Sequence, residues 1–141
     1  MRLINGPVTT SVISGIIAKG GEKHDSGAHS LFLGQVRRTL VDGKHVKAIE
    51  YSAYEEMVIM EADKINKTIL SEFDDVRAFE IIHSKGLVKA GEISLVVMIS
   101  AGNGGQATKA CTKAVELIKE KLPIWKKEII EDESQHQSHD E

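Results

Sequence analysis

A helix stop flanked by two lysines is the stretch of this sequence best suited to chemistry. Lys119 falls in the last turn of an amphipathic helix. Pro123 ends that helix, because proline cannot donate a helical hydrogen bond and disfavours helical geometry in the residue before it. Lys126 follows on the extended segment beyond the corner. Two ammonium groups beside a rigid corner would form an anion-binding pocket, and their repulsion would favour a neutral, nucleophilic amine.

The same two lysines also suit an ordinary solvated helix end. Lysine in a last helical turn complements the helix dipole, and the chain holds 18 Lys+Arg. Trp125 is the single tryptophan of the chain and lies between the corner and Lys126, where it suits either a site or the core. The pattern alone therefore leaves both interpretations of Lys119 and Lys126 open.

Two further features could contribute anion contacts. Arg37 ends a predicted strand of residues 28–37, where a guanidinium suits phosphate or carboxylate but also suits a charged sheet edge. The glycine-rich turn 102–105 separates a predicted strand from a helix, so its backbone amides would face an anion, with a tight turn lacking any ligand as the equal alternative. Residue types alone predict an anion pocket made of Arg37, Lys119 and Lys126.

The elements that must position these residues belong to an α+β protein with a mixed sheet packed with helices. Periodicity predicts three helices, at about 9–19, 54–72 and 106–121. It predicts strands at 2–4, 28–37, 45–53, 76–83, 92–100 and 124–130. Gly34 predicts a bulge in its strand. The nearly continuous apolar run 92–100 predicts a central strand buried on both faces.

Several local expectations follow from the same patterns. The polar span 39–44, with its Asp42-Gly43 turn signal, predicts a mobile loop, and residues 84–91 predict a turn-rich connection with two glycines. The acidic segment 131–141 predicts a disordered or partner-dependent tail behind a single domain of residues 1–130. In the helix 54–72, the predicted buried stripe consists of Met57, Ile59, Met60, Ile65, Ile69 and Leu70.

Composition narrows the class of protein. The chain has 141 residues, 41% hydrophobic and 28% charged, which suits one globular domain. A net charge of -3 does not favour nucleic-acid binding. Cys111 is the single cysteine, so no internal disulfide forms, and we expect a buried thiol. Without a signal peptide or an apolar run of about 18 residues, we expect no membrane segment and a cytoplasmic location. No metal-ligand cluster is evident, and His136 and His139 fit a polar tail better than a metal site.

The sequence resembles the large, catalytic subunit of molybdopterin synthase. The resemblance runs in register from about residue 27 to residue 128. Its most specific part is Pro123-Ile-Trp-Lys-Lys-Glu128 with Lys119 seven residues before Lys126. The other matching pieces are Gly27-Ala28, Phe32-Leu-Gly-Gln-Val-Arg37, Ile49-Glu-Tyr-Ser-Ala-Tyr-Glu-Glu-Met57, Ile82-His83-Ser-Lys-Gly86 and Gly91-Glu92.

This resemblance implies an α/β hammerhead-like fold with a mostly antiparallel sheet. It implies a homodimer within a heterotetramer, in which each large subunit binds a small ubiquitin-like sulfur carrier ending in a Gly-Gly thiocarboxylate. Two sulfurs would pass, in two transfers of one sulfur each, from such thiocarboxylates to cyclic pyranopterin monophosphate, forming the molybdopterin dithiolene without a further cofactor. The essential lysines of the family fall on Lys119 and Lys126, and its strand-end arginine falls on Arg37.

The resemblance also implies a wider substrate-binding set, consisting of Arg37, Gln35, Asn103, Gly104, Lys127 and Glu128. Three places depart from the family pattern. Asn103-Gly104 stands where a His-Arg pair is common, Gln35 replaces a basic residue, and the acidic run 131–141 replaces a basic, Trp-containing tail. These departures leave an alternative function open, namely a non-catalytic docking partner for a ubiquitin-like sulfur carrier.

Overall fold

A computed structural model describes residues 1–131 of the chain. The predicted acidic tail lies outside the described residues except for Glu131, whose carboxylate accepts hydrogen bonds of 3.1 and 2.9 Å from the Arg38 guanidinium. In chain order the elements are β1 (Arg2–Asn5), α1 (Thr10–Gly20), β2 (Ala28–Gln35), β3 (Leu40–Val41), β4 (Lys44–Ala53), α2 (Glu55–Glu72), β5 (Val76–Lys89), β6 (Ile93–Ala101), α3 (Gly104–Lys121) and β7 (Ile124–Ile130).

The strands form one mixed, mostly antiparallel sheet. Its main path runs β2-β6-β5-β4-β3, while β1 pairs with β5 in parallel and β7 pairs with β4 in antiparallel fashion. The predicted α+β class with a mixed sheet is therefore confirmed. The register of β2 on β6 shifts between Gly34 and Gln35, which confirms the bulge expected at Gly34. The central strand β6 is buried almost throughout, as its apolar run predicts.

Strand β5 is longer than the sequence predicts. Residues 84–89 continue the strand, so the prediction of a turn-rich connection there is wrong. The first part of β5 pairs with β6, and the last part pairs with β4 through contacts such as Ile49 opposite Val88. Gly86 supports the switch with a left-handed φ of 82°. The pairing is non-local, so no pattern within 84–89 could reveal it.

Helices cover both faces of the sheet. Ile13 and Ile16 of α1 pack in one apolar cluster with the sheet residues Ile82, Val96 and Met98. Helices α2 and α3 pack on the opposite face in a larger cluster, which contains Val58, Ala62, Ile65, Ile69, Val76, Ile81, Leu95, Val97, Ile99, Ala110, Cys111, Ala114, Ile118 and Leu122. Burial of this second cluster fixes α3 on the sheet and so fixes the end of α3 that carries Lys119.

The inward face of α2 differs from the predicted stripe. Ile65 and Ile69 are buried as expected, but the other inward residues are Val58 and Ala62. Four members of the predicted stripe are exposed instead, namely Met57, Ile59, Met60 and Leu70. Size explains the error, because a small alanine that packs closely against the sheet contributes little to a hydrophobicity pattern, whereas exposed methionines contribute strongly.

The turn predicted at Asp42-Gly43 is confirmed, and it closes a short hairpin in the polar span 39–44, for which the sequence predicts a mobile loop. Strand β3 pairs with the start of β4 through Leu40 opposite His45 and Val41 opposite Lys44. Asp42 and Gly43 connect them with left-handed φ values of 52° and 78°. Positive φ at both central residues is the geometry of a type I′ hairpin turn, for which Asp-Gly is a preferred sequence.

Candidate active site

The corner after α3 places one lysine on each side of Pro123. The helix ends at Lys121, and its C-cap residue Leu122 is extended with φ -72° and ψ 128°, as expected for a residue before proline. The amide of Ile124 donates a 2.8 Å hydrogen bond to the carbonyl of Leu122, which tightens the turn into β7. Lys119 therefore lies in the last helical turn and Lys126 on the strand, as the sequence predicts.

Arg37 is held just beyond the bulged end of β2. The neighbouring Val36 is buried, and its backbone bonds to the β5–β6 connection on both sides. Its amide donates to the carbonyl of Glu92 at 2.9 Å, and its carbonyl accepts from the amide of Gly91 at 2.8 Å. These bonds fix the backbone that carries Arg37, next to a bulge of the kind that bends a strand.

One cavity brings most of the predicted site residues together. Its volume is about 590 Å³, within the range typical of small-molecule sites. Lys119, Lys126 and Arg37 all line it, together with Gln35 and Glu128. The remaining lining residues are Phe32, Gly34, Val36, Thr39, Ile49, Tyr51, His83, Ser94, Leu95, Ile118, Leu122 and Ile124.

The charge of the cavity is mainly positive. Arg37, Lys119 and Lys126 contribute cations, and Glu128 contributes the one carboxylate among the lining residues. Within residues 1–131 neither lysine takes part in an ion pair. The ammonium of Lys119 instead lies over the Phe32 ring at 5.3 Å from its centre. Cations that lack internal partners are available to an anionic ligand.

A buried polar group at the base of the cavity was not among the predicted site residues. The Tyr51 hydroxyl donates a 3.0 Å hydrogen bond to Ser94 Oγ, and burial raises the pKa of the Tyr51 phenol. His83 meets the Tyr51 ring edge-on, with 5.0 Å between ring centroids. The pKa of His83 is lowered, and burial is the largest cause. The hydrogen bond to the Ser84 carbonyl raises this pKa by a smaller amount, and the charge of Lys126 lowers it by a still smaller amount.

The MoaE protein family matches residues 8–121, which is most of the chain. The chain belongs to the MoaE family. It is 43% identical over 113 residues to the molybdopterin synthase catalytic subunit of Dictyostelium discoideum, covering 79% of this chain and 71% of that protein. It is 35% identical over 131 residues to the subunit of the same name from Drosophila pseudoobscura pseudoobscura, covering 93% of this chain but only 35% of that longer protein.

Solved structures agree with this MoaE assignment. The molybdopterin synthase structure from Staphylococcus aureus superposes with a TM-score of 0.79 at 28% identity, covering 92% of this chain and 90% of the other. The complex of subunits 1 and 2 of molybdopterin-converting factor from Helicobacter pylori gives a TM-score of 0.77 at 22% identity, covering 92% and 84%. The second likeness supports the fold alone.

Asn103 and Gly104 do not line the cavity of this MoaE-family chain. They form the opposite end of α3 from Lys119, and fifteen helical residues at ~1.5 Å each put about 22 Å between Gly104 and Lys119. The Asn103 side chain caps the helix by accepting from the amide of Gln106 at 3.1 Å. The Asn103 amide donates to the Asp75 carboxylate at 2.8 Å, so an internal carboxylate already lies at this helix end.

Lys127 and Trp125 lie on the other face of β7 from Lys126. The ladder pairs Lys127 with Glu50 and Trp125 with Ser52, whereas Lys126 pairs with Tyr51 on the cavity side. Trp125 is 57% exposed, so the interpretation of Trp125 as a core residue is wrong for the single protomer. Roles for Lys127, Asn103 and Gly104 in substrate binding stay predictions, because one protomer does not bring them to the cavity.

The remaining chemical features of residues 1–131 add no second site. Cys111 is buried, as expected, and burial raises the pKa of its thiol. Among the described residues, no three of the side chains His, Cys, Asp and Glu lie together as metal ligands would. Within the same residues, no helix has both the length and the apolar character needed to cross a membrane.

Proposed function

We propose that this chain is the catalytic subunit of a molybdopterin synthase. It transfers sulfur from the C-terminal thiocarboxylate of a small ubiquitin-like subunit to cyclic pyranopterin monophosphate, which forms the molybdopterin dithiolene. The observation that carries the proposal is the convergence of Lys119, Lys126 and Arg37 on one cavity of about 590 Å³. Both the phosphate of the pterin and the thiocarboxylate are anions, and this set of cations suits both.

Each cation has a distinct proposed task. Lys119 lies by the thiocarboxylate, where its amine donates a proton or accepts the acyl group transiently. Lys126 helps to bind the pterin and to move protons, while Arg37 holds the phosphate through its planar guanidinium. Negative charge that develops as the carbon–sulfur bond breaks is stabilised by the fixed ammonium groups, which act best in a cavity with little water.

The assembly follows from the same proposal. We propose a homodimer of this chain, with one small ubiquitin-like subunit bound to each copy, residues 1–130 acting as one domain and the cytoplasm as the location. A small subunit ending in Gly-Gly suits this cavity, because a tail without side chains can bring its carboxyl end close to the lining residues. A chain with one cysteine, and thus no internal disulfide, is in line with a reducing compartment.

Reconstitution tests the function directly. The purified chain is mixed with a thiocarboxylated small subunit and cyclic pyranopterin monophosphate, and the dithiolene product is measured. A small subunit ending in an ordinary carboxylate is the matched control, because it can dock but carries no sulfur that could be transferred. If product forms with the thiocarboxylated small subunit but not with the carboxylate control, the chain is an enzyme. If both forms of the small subunit dock tightly and neither gives product, the chain is a non-catalytic partner of the sulfur carrier.

A further inference from the structure

His83 is a buried histidine that the proposed sulfur transfer does not yet use. It lies on β5 with 7% of its surface exposed, and it lines the cavity beside the Tyr51 ring. Its partners across the ladders are the apolar residues Leu3 on β1 and Leu95 on β6. An ionisable ring among apolar neighbours, directed at a site of cations, is unusual enough to need a reason.

Hydrogen bonding fixes the tautomer of this ring. The Nδ1 atom of His83 lies 2.7 Å from the backbone carbonyl oxygen of Ser84. A carbonyl oxygen can only accept, so Nδ1 carries the proton, and in the neutral ring Nε2 carries a free lone pair. Within residues 1–131, Nε2 has no hydrogen-bond partner, and it is accessible to solvent. The free acceptor of His83 therefore reaches the cavity.

Lys126 is the cation best placed to meet that acceptor. Lys126 and Tyr51 are direct partners in the β4–β7 ladder, so their side chains leave the sheet on the same face. The Tyr51 ring in turn contacts His83. The charge of Lys126 acts on the His83 ring, where it opposes protonation and adds to the larger effect of burial in lowering the pKa of His83.

We propose that His83 is a positioning residue for Lys126: its Nε2, which has no hydrogen-bond partner within residues 1–131, accepts from the Lys126 ammonium once that flexible side chain turns toward the neutral ring, and the ammonium is thereby held toward the substrate. The part that concerns catalysis rests on the proposed sulfur transfer. The geometric part concerns this chain alone and can be tested without substrate. In this arrangement the backbone carbonyl of Ser84 fixes His83, and His83 fixes Lys126.

A pH dependence follows from the charges around the ring. The charged or titratable groups that line the cavity with His83 are Tyr51 on β4, Lys119 on α3, Lys126 and Glu128 on β7, and Arg37 after β2. Because the pKa of His83 is lowered from its ordinary value of 6.5, the ring is neutral at pH 7 and becomes protonated only in more acid solution. A protonated ring cannot accept from Lys126, so transfer should fall on the acid side.

The geometric part is tested by nitrogen NMR on the free protein. We expect the His83 ring to show a protonated Nδ1 and an unprotonated Nε2 at pH 7, and its titration to move to higher pH in Lys126→Met. His29 is the matched control, because it bonds Ser100 Oγ through Nδ1 at 2.6 Å and does not line the cavity. The proposal is overturned if the ring shows the opposite tautomer, or if the pKa of His83 is the same in Lys126→Met as in the wild type.

The catalytic part is tested with two substitutions in the reconstituted enzyme. His83→Gln keeps an acceptor, and His83→Phe keeps the ring contact with Tyr51 but removes the acceptor. We expect kcat to fall about tenfold more in His83→Phe than in His83→Gln, and the acid-side loss of activity to disappear in His83→Gln.

Two results separate this proposal from the proposed function. If wild-type protein makes no dithiolene while the NMR result holds, sulfur transfer is wrong and the His83–Lys126 contact stands. If wild-type protein is active and His83→Phe, folded as judged by its melting curve, keeps wild-type kcat and pH profile, the positioning role is wrong. His29→Phe should leave both kcat and the pH profile unchanged.

Discussion

The ammonium nitrogen of Lys119 lies 5.3 Å from the centre of the Phe32 ring. Phe32 is half-buried on β2 and packs against the main apolar cluster, so its ring has a fixed orientation. A cation is attracted to the face of an aromatic ring at this distance. The contact joins the last turn of α3 to the sheet and holds the Lys119 amine at the cavity.

Phe32→Leu should therefore weaken catalysis without removing the lysine. A cation–π contact at an accessible site contributes about 0.5–1 kcal/mol, so we expect sulfur transfer to slow by about threefold. Phe32→Tyr keeps an aromatic face and serves as the control, with a rate close to wild type. Steady-state rates of dithiolene formation measure the effect, and equal rates for the leucine and tyrosine variants would contradict it.

Lys119→Ala should remove nearly all activity and leave the fold intact. The side chain is exposed at a helix end, so we expect a stability change within about 0.5 kcal/mol, whereas loss of the group that stabilises developing charge should lower kcat at least about a hundredfold. Lys119→Arg keeps the charge but removes the amine nucleophile. Activity in the arginine variant would favour electrostatic stabilisation over an acyl-lysine.

Lys121→Ala is the matched control for that experiment. Lys121 lies in the same last turn of α3, pairs with Glu120 at 3.5 Å and does not line the cavity. A comparable loss of kcat in Lys121→Ala would mean that general positive charge at this helix end matters, rather than the position of Lys119.

Neighbouring arginines give a sharp test of phosphate binding. Arg37 lines the cavity, whereas Arg38 bonds the Glu131 carboxylate through two of its nitrogens. A hydrogen bond to a charged group contributes about 1.5–3 kcal/mol, so Arg37→Ala should raise KM for the pterin by about ten- to a hundredfold. Arg38→Ala should leave this KM near wild type. Equal effects of the two substitutions would show that only the overall charge of the segment matters.

Tyr51→Phe should destabilise the base of the cavity. It leaves the ring contact with His83 but removes the hydroxyl that donates to Ser94 Oγ, which lies in a buried setting. Loss of one such bond costs about 1 kcal/mol of unfolding free energy. Urea unfolding measures the change, and the double variant with Ser94→Ala should cost less than the two single changes together. Additive costs would mean that the hydroxyls do not depend on each other.

The sequence predicted the corner of the site well because that corner is local. Pro123 ends α3 through its own covalent geometry, and the positions of Lys119 and Lys126 follow from it. The bulge at Gly34 depends on a distant strand, but its signal lies in the residue itself, since the absence of a side chain permits the close approach of Leu95. Residue types could therefore indicate the pocket of Arg37, Lys119 and Lys126 before any coordinates.

Non-local pairing explains most of what the sequence missed. The continuation of β5 through Gly86 depends on β4, which lies more than thirty residues away along the chain. The contact of Tyr51 with His83 depends on the same pairing, so neither residue was assigned a role in the site. One signal was available, because His83 follows two isoleucines in an apolar strand, and a polar residue at a buried position often serves a site.

The length of α3 is enough to predict that its two ends do not line the same cavity. Asn103 and Lys119 lie in one helix with its cap, and the rise per residue places them about 24 Å apart on a straight rod. In α2, by contrast, the hydrophobicity of the methionines wrongly indicates burial. Met57 and Met60 are apolar but face outward, since the small Ala62 occupies the inward position.

Alanine substitutions at Gly27 and Gly15 can measure how tightly the loop before β2 packs against the start of α3. A Cβ on Gly27 would collide with the backbone carbonyl oxygen of Gly102, and the Gly27 amide already donates to the Ala101 carbonyl at 2.9 Å. Gly15 lies inside α1 with nothing within 4 Å of the position a Cβ would take. Alanine should therefore be tolerated at Gly15 and rejected at Gly27.

We expect Gly27→Ala to lower the unfolding free energy by about 1–3 kcal/mol, because backbone must move to admit the methyl group. Gly15→Ala should raise it by about 0.5–1 kcal/mol, since alanine restricts the unfolded chain and favours the helix. Urea unfolding of both variants gives the comparison. Equal stability of the two variants would mean that the contact between Gly27 and Gly102 relaxes freely, and that this loop does not hold the start of α3 against the sheet.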